Sequence, residues 1–413
     1  MLVSNTNTPY KMYVTKTVGG IAVFLSLIPW FSFGLLGGDS MPWPFMGYLL
    51  FFLSFKVPAI IVPKNFIVFF VVLLCGLFIA LFMSNNIIHE NTFRSLYNYL
   101  GVVVFYLGFF NYLIKYGFPM HIFIAVNIIW LLFAVLEVYF PNIALIFSSS
   151  RTGDGRGVTS LAPEPTFFGM YLFFSSWLML VGSNYKPGKY LTYLIFFNLI
   201  FIVLVAKSSM MIIYLMVSAI IFFAYTFIKL KWKKKLIKNM IILGAFLFIG
   251  GSIINNSVEG SRYLSLINKV LNEVSISDLF FLDGSLNQRL EHIVYSMHGA
   301  VNNFFIPAGF DAFANMKDKL DPTYNYYFWS SGLYGEPSNK IMSWSGDWLF
   351  QLGIFGLIFV SYLLYISSDG SRIRRAELFL LTILLCSAVP VAFPLISMLL
   401  ALYTYRSRIR SIG

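Results

Sequence analysis

Apolar residues fall along this chain in blocks long enough to cross a bilayer, and each block is closed by a short polar or basic segment. A helix rising about 1.5 Å per residue needs roughly 17 to 25 apolar residues to span the hydrocarbon. By that measure the pattern predicts spans near 17–37, 42–62, 66–84, 94–114, 119–140, 166–183, 190–206, 209–228, 239–254 and 346–366. The last apolar stretch, 377–405, is interrupted by Pro390 and Pro394. Arginines flank it on both sides: Arg372, Arg374 and Arg375 before it, Arg406, Arg408 and Arg410 after it. Proline breaks the helical hydrogen-bond ladder, so this stretch predicts two short helices that return to the side they left. The expected fold class is an all-α polytopic integral membrane protein with about twelve transmembrane helices, a single membrane domain over residues 1–413.

Composition agrees. Of the residues, 58% are apolar and only 11% charged, against roughly one-quarter charged in a soluble globule, which excludes a soluble enzyme. The formal charge of +12 would raise nucleic acid as a partner in a soluble protein. In a membrane protein it has to be divided by side, because Lys and Arg collect on cytoplasmic loops. The cytoplasmic segments carry 19 of the 29 basic residues, the KLKWKKKLIK run at 229–238 among them, and two acids, Asp369 and Glu377. The opposite side carries the other 10 basic residues and 14 acids, while Glu137 falls inside a span near its outer end. Both termini are therefore expected to be cytoplasmic, the lipid bilayer is the surrounding partner, and no nucleic acid is expected. The first apolar run is followed by GLLGGDSMP rather than a small-residue cleavage site, so it reads as a retained signal-anchor. Cys75 and Cys386 lie in apolar spans at opposite ends of the chain and predict no disulfide.

Two outer segments exceed a turn: 141–165 and the 91-residue stretch 255–345. The spans position such loops, and loops carry function. In the first, Arg151 and Arg156 flank the glycine-rich RTGDGRG, and Glu164 stands between two prolines just before a span. Glycine allows close backbone approach to a ligand, and a guanidinium grips phosphate or carboxylate with a planar fork of donors. A flexible turn with solvated arginines fits the same composition equally well. The second loop opens with YLSLINKVLNEV at 263–274, whose apolar spacing suggests an amphipathic helix on the membrane surface. SLNQRLEHIVYSMHGAVNNFF predicts a second helix, with Ser285 and Gln288 in capping-box spacing. On it Arg289, His292 and Ser296 share one face, and Glu291, Tyr295 and His298 the neighbouring one. A cation beside a titratable ring suits phosphate chemistry, although a surface helix with ordinary charges explains the pattern nearly as well. Tyr324, Tyr326, Tyr327, Phe328, Trp329 and Tyr334 follow, and flat rings with polar tips pack on sugar faces. Trp344 and Trp348, beside a span, read instead as an interfacial belt.

Absences narrow the chemistry. The sequence contains no Walker A, HExxH, CxxC or GxSxG motif and no Asp-x-Asp pair in an outer loop, so no metal and no cofactor is expected. Glu137 and Lys207 fall within spans, both near outer ends, which weighs against a proton-coupled transporter.

Arg156-Gly157 followed by Glu164-Pro165-Thr166-Phe167-Phe168-Gly169 resembles the Arg, Gly, Glu-Pro-Ser-x-x-Gly signature of bacterial O-antigen polymerases of the Wzy type, within the O-antigen ligase/polymerase superfamily. Asn287-Gln288-Arg289 leading to Ile306-Pro307-Ala308-Gly309-Phe310 is similar to that family's second element, an Arg-bearing helix before a proline-glycine turn. Gly346-Asp347-Trp348, with Leu352-Gly353-Ile354-Phe355-Gly356, resembles the family's helix after the large loop. Thr166 stands where serine is usual and keeps the hydroxyl. The chain also departs from the pattern in its Pro-Ala-Gly turn and in lacking a His before residue 346.

The resemblance implies a GT-C-like membrane glycosyltransferase of the bacterial inner membrane. Loops 141–165 and 255–345 would be periplasmic, and an undecaprenyl-diphosphate-linked oligosaccharide would serve as donor and a second one as acceptor. It allows for a chain-length regulator protein as a further partner. Negative charge would grow on the departing diphosphate, where fixed cations stabilise the transition state most. The resemblance assigns that role to Arg156 and Arg289, with Arg151 in support, and leaves Glu164 or His292 to orient or deprotonate the acceptor hydroxyl. Thr166, Tyr295, His298, Tyr326 and Trp329 are the expected substrate contacts. A ligase that transfers glycan to lipid A-core, or a lipid-linked polysaccharide transporter, is the alternative.

Overall fold

The computed structural model describes residues 9–31, 41–55, 60–84, 90–141, 157–229, 284–324, 327–328 and 340–412, and among these every regular element is helical. In chain order these are α1 (Pro9–Ser26), α2 (Trp43–Leu53), α3 (Phe66–Met83), α4 (Glu90–Tyr116), α5 (Met120–Tyr139), α6 (Pro165–Gly182) and α7 (Lys189–Phe201), which runs on as a π-helical turn (Ile202–Ala206). Then come α8 (Ser209–Lys229), α9 (Gly284–Asn302), α10 (Phe313–Tyr324), α11 (Trp344–Gln351), α12 (Gly353–Ser367), α13 (Arg372–Leu385) and α14 (Pro394–Ile412). Among the described residues, five stretches are long and apolar enough to cross a membrane: Phe66–Met83, Thr92–Tyr116, Met120–Tyr139, Pro165–Gly182 and Lys189–Ala206. Tyr13–Ser26, Trp43–Leu53, Met210–Tyr225 and Gly353–Ser367 are shorter apolar helices. α3 turns Ile67, Val68, Val71, Phe78 and Phe82 outward, an apolar outer face that suits lipid rather than water.

Several expected spans keep their place and three change character. The 17–37 stretch is helical only to Ser26, because α1 begins earlier, at Pro9, and residues 27–30 form a turn. The 42–62 stretch is not one helix: α2 stops at Leu53, and residues 60–63 are not helical. There the side-chain amide of Asn111 on α4 clamps both backbone groups of Ile61, at 2.7 and 2.9 Å, and Pro63 could not continue a helix. The 346–366 stretch divides into α11 and α12 at Gly353. This residue has φ +56°, and a Cβ there would lie 2.0 Å from the Phe305 carbonyl. That carbonyl accepts from Ile354 N–H at 2.7 Å, while Ala308 N–H donates to Phe350 O at 3.1 Å. The Pro307-Ala308-Gly309-Phe310 turn is thereby stitched into the break, and Phe310 N–H donates to Ser84 at the end of α3. The break at Pro390 and Pro394 does separate two helices, α13 and α14. The expected span 239–254 and surface helix 263–274 lie outside the described residues.

α14 forms the centre, with Leu395 to Tyr403 buried against α4, α6 and α12. Trp344 and Trp348 are 2% and 1% exposed, so they are core residues rather than an interfacial belt. The Trp344 indole N–H donates to Val391 O, and Trp348 packs edge-on to Tyr99 at 4.8 Å. The ion pair at the basic end was equally hidden from a reading of loops. Arg374 is 2% exposed, lies 3.4 Å over the Tyr403 ring and pairs with Glu377 at 3.2 Å, while Tyr185 and Trp177 donate to the same carboxylate. Cys75 and Cys386 are both free.

The helices sort the chain ends of each element into two groups. Lys64, Lys115, Tyr185, Glu377 and Arg406 gather at one end: Tyr362 Oη donates to Lys64 O, the Lys115 ammonium sits 3.3 Å over Phe55, and Arg406 faces the Tyr185 ring. Glu137, Ser160, Glu164, Lys207, Phe310 and Ser387 belong to the other, which carries both motif elements.

Candidate functional site

The Glu-Pro element starts α6 as its sequence dictates. Glu164 is extended at the N-cap (φ −145°, ψ 148°), and Pro165 takes the first helical position, where its missing N–H costs nothing. The next residues are fixed by packing. Phe167 and Phe393 each stack on Trp30 at 5.3 Å, and Trp130 stacks on Tyr171 at 4.2 Å. The start of α6 is therefore a rigid platform. Thr166 is buried, and its hydroxyl bonds Ser208 at 2.9 Å.

The described end of the first outer loop is held from two sides. Val158 N–H donates to Val205 O at 3.1 Å, and a Cβ on Gly157 (φ +27°) would come 2.1 Å from Ala206 O. Only glycine permits that approach. The Glu137 carboxylate meanwhile accepts from Thr159 N–H, Thr159 Oγ1 and Ser160 N–H, and the Ser160 hydroxyl donates to Trp130 O at 2.8 Å. Glu137, the lone acid of its span, is a structural anchor for the residues that follow Arg156. Glu137→Ala should lower stability by about 1–3 kcal/mol, since it strands partly buried donors, and Glu137→Gln by less. An unfolding midpoint for the alanine variant equal to that of the wild type would contradict this.

On the second element, α9 begins at Gly284, one residue before the expected cap Ser285. Its two polar faces are both spoken for. Glu291 and Lys317 of α10 form an ion pair at 3.2 Å with both side chains buried. Tyr295 Oη donates to Asp321 at 2.8 Å, and His298 Nδ1 shares a hydrogen bond with the Tyr324 hydroxyl at 2.7 Å. Tyr295 and His298 thus tie α9 to α10, with Phe313, Leu320 and Phe328 around them. On the neighbouring face, Ser296 is fully buried against Gly346 of α11. His292 is 4% exposed, and its Nδ1 accepts from Met342 N–H at 3.1 Å. Burial, with Lys317 and Lys340 adding to it, pushes the imidazole down to about 3. It is neutral near neutral pH, with one nitrogen already occupied, which makes it a weak base.

Arg289 is half-buried, and its charge reaches the Tyr214 hydroxyl on α8. Tyr214 is fixed in turn: it donates to Leu384 O at 3.1 Å, bonds the Ser387 hydroxyl and packs on Phe173 and Phe174 of α6. Ser208, just before α8, and Met211 and Tyr214 on it therefore line one side, touching Thr166, Gly169 and Phe173 in succession. Six residues separate Ser208 from Tyr214, about 9 Å of helix. The Gly157 and Thr166 element stands at the start of that side.

The carboxylate of Glu164 is half-buried at the start of α6 and makes no capping bond to the helix. Arg151, Arg156, Tyr326 and Trp329 lie outside the described residues. Serine and tyrosine beside or within an apolar helix give no signal of their own, so the bonds of Ser208 to Thr166 and of Tyr214 to Leu384 and Ser387 were not legible in the sequence. Glu137 and Lys207 had one, as isolated charges in apolar spans. Set against known protein families, curated proteins and solved structures, the chain returns no match.

Proposed function

We propose that this chain is a membrane glycosyltransferase that joins lipid-linked oligosaccharides, an O-antigen polymerase of the Wzy type. In this reading it crosses the bacterial inner membrane about twelve times. The basic end and both termini face the cytoplasm, and the Glu164 end faces the periplasm. The observation that carries the proposal is the packing of the first motif element, with Gly157 against the Ala206 carbonyl, Thr166 bonded to Ser208, and Glu164 half-buried at the rigid start of α6. A carboxylate held at a rigid helix start, beside a backbone that only glycine lets approach, suits a fixed site for a sugar hydroxyl and a diphosphate.

The chemistry follows from the residue types. The bond from the donor's anomeric carbon to the diphosphate oxygen breaks, and the diphosphate leaves with the electron pair. Arg156 and Arg289 neutralise the charge that grows there. The acceptor hydroxyl attacks the same carbon, and its proton passes to Glu164. We prefer Glu164 over His292 because a carboxylate free of any capping bond can accept a proton, whereas the imidazole is buried with Nδ1 engaged.

The test is purified protein in nanodiscs with a defined undecaprenyl-diphosphate-linked repeat, its products resolved by size. Lipid-linked products longer than one repeat are expected. Transfer to lipid A-core without such products, or translocation with no new glycosidic bond, would overturn the proposal.

A further inference from the structure

Lys207 stands out among the groups that the proposed mechanism does not use. It has φ +46°, the left-handed region that a side-chain-bearing residue seldom adopts and that costs on the order of 1 kcal/mol. It ends the π-helical turn Ile202–Ala206, and such turns inside α-helices recur at functional sites. The distortion has a visible consequence. It delivers the Ala206 carbonyl to Gly157 and the Ser208 hydroxyl to Thr166, so the backbone of Lys207 lies between the two halves of the first motif element. A Gly157 Cβ would come 3.2 Å from the Lys207 Cβ. The side chain itself is exposed, with no hydrogen-bond or ion-pair partner among the described residues. An apolar helix that ends in a strained, exposed lysine beside Gly157 gains nothing in stability from that residue.

The geometry points to Lys207 as a binding residue for the diphosphate of a lipid-linked substrate, a compact cation held by the π-turn between Gly157 and Thr166 to complement the planar fork of Arg156. This rests on the glycosyltransferase reading. Lysine acts as a point charge on phosphate, whereas arginine adds bidentate geometry, so the two are complementary rather than redundant.

Glycine adopts a positive φ without strain, so Lys207→Gly removes the cation and keeps the turn. It should be at least as thermally stable as the wild type. It should also bind a short-chain polyprenyl diphosphate about tenfold more weakly, whereas Lys207→Arg should keep most of the affinity. Inorganic pyrophosphate serves as the second probe, and the prenyl compound should bind more tightly if the anion is lipid-borne. Equal affinity of wild type and Lys207→Gly for the prenyl diphosphate would overturn the assignment, and so would equal affinity of the wild type for the two probes. Binding is read without polymer formation, so the outcomes separate. A wild type that binds and a glycine variant that binds equally well dismisses Lys207 alone, while a wild type that binds neither probe dismisses Lys207 and the glycosyltransferase reading together.

Discussion

Arg289→Ala is expected to reduce polymer formation by about 100- to 1000-fold while the protein accumulates at normal levels. The magnitude is that of removing one fixed donor from a developing negative charge. The normal level follows from where α9 gets its stability. That helix is held by Glu291 with Lys317, Tyr295 with Asp321, and Ser296 against Gly346, none of which involves Arg289. Arg289→Lys should fall between the two, because it keeps the charge and loses the planar fork. The same substitution at Arg156 should act alike. The measurement is the length distribution of product made by purified variants, beside the folded protein recovered. A full-length ladder from Arg289→Ala at normal protein level would show that the guanidinium does not serve the transferred diphosphate.

The parts of the fold legible in the sequence were those written in long apolar blocks and prolines. α3 to α8 start and end within a few residues of the expected spans, because each is a nearly uninterrupted apolar run. What could not be read was where tertiary contacts override a run. The 42–62 stretch is apolar apart from Ser54 and Lys56, yet Asn111, fifty residues away, binds both backbone groups of Ile61 outside any helix. The 346–366 stretch is broken because the Phe305 carbonyl occupies the place of a Cβ on Gly353. Trp344 and Trp348 look like belt residues from their position beside a span, and only the packing of α11 against α4 and the 386–391 turn makes them core. The site divides in the same way. Glu164, Thr166 and Arg289 are candidates on the strength of short ordered motifs. The faces of α9 were read as substrate contacts because amphipathic periodicity shows that a face is polar without showing what it meets. For Tyr295 and His298 the partner is α10, whose own polar residues lie some 25 positions further along the chain.

That partnership leads to the largest expected effect on stability. Glu291 is 1% exposed and its carboxyl is pushed up by burial, with Lys317 opposing that shift and Asp321 adding to it. Desolvating two charges costs about as much as their attraction returns, so the pair adds little net stability while both partners are present. Removing one partner is different, because it leaves the other charge buried and alone. Lys317→Met should therefore destabilise the α9–α10 unit by about 3–5 kcal/mol. Glu291→Leu strands the lysine and should cost less, since a long flexible ammonium can swing toward solvent where a short carboxylate cannot. The double variant Glu291→Leu with Lys317→Met replaces the pair by apolar side chains of similar volume and should recover most of the loss. The two single changes are then strongly non-additive. Limited proteolysis within 284–324 and thermal unfolding in detergent both report the change. Arg289 rides on the same helix two residues from Glu291, so activity should fall with Lys317→Met and return in the double variant. Additive losses in the double variant would mean that the pair acts through something other than mutual neutralisation. Recovery of stability without recovery of activity would mean that the charges, rather than the position they give Arg289, serve the reaction.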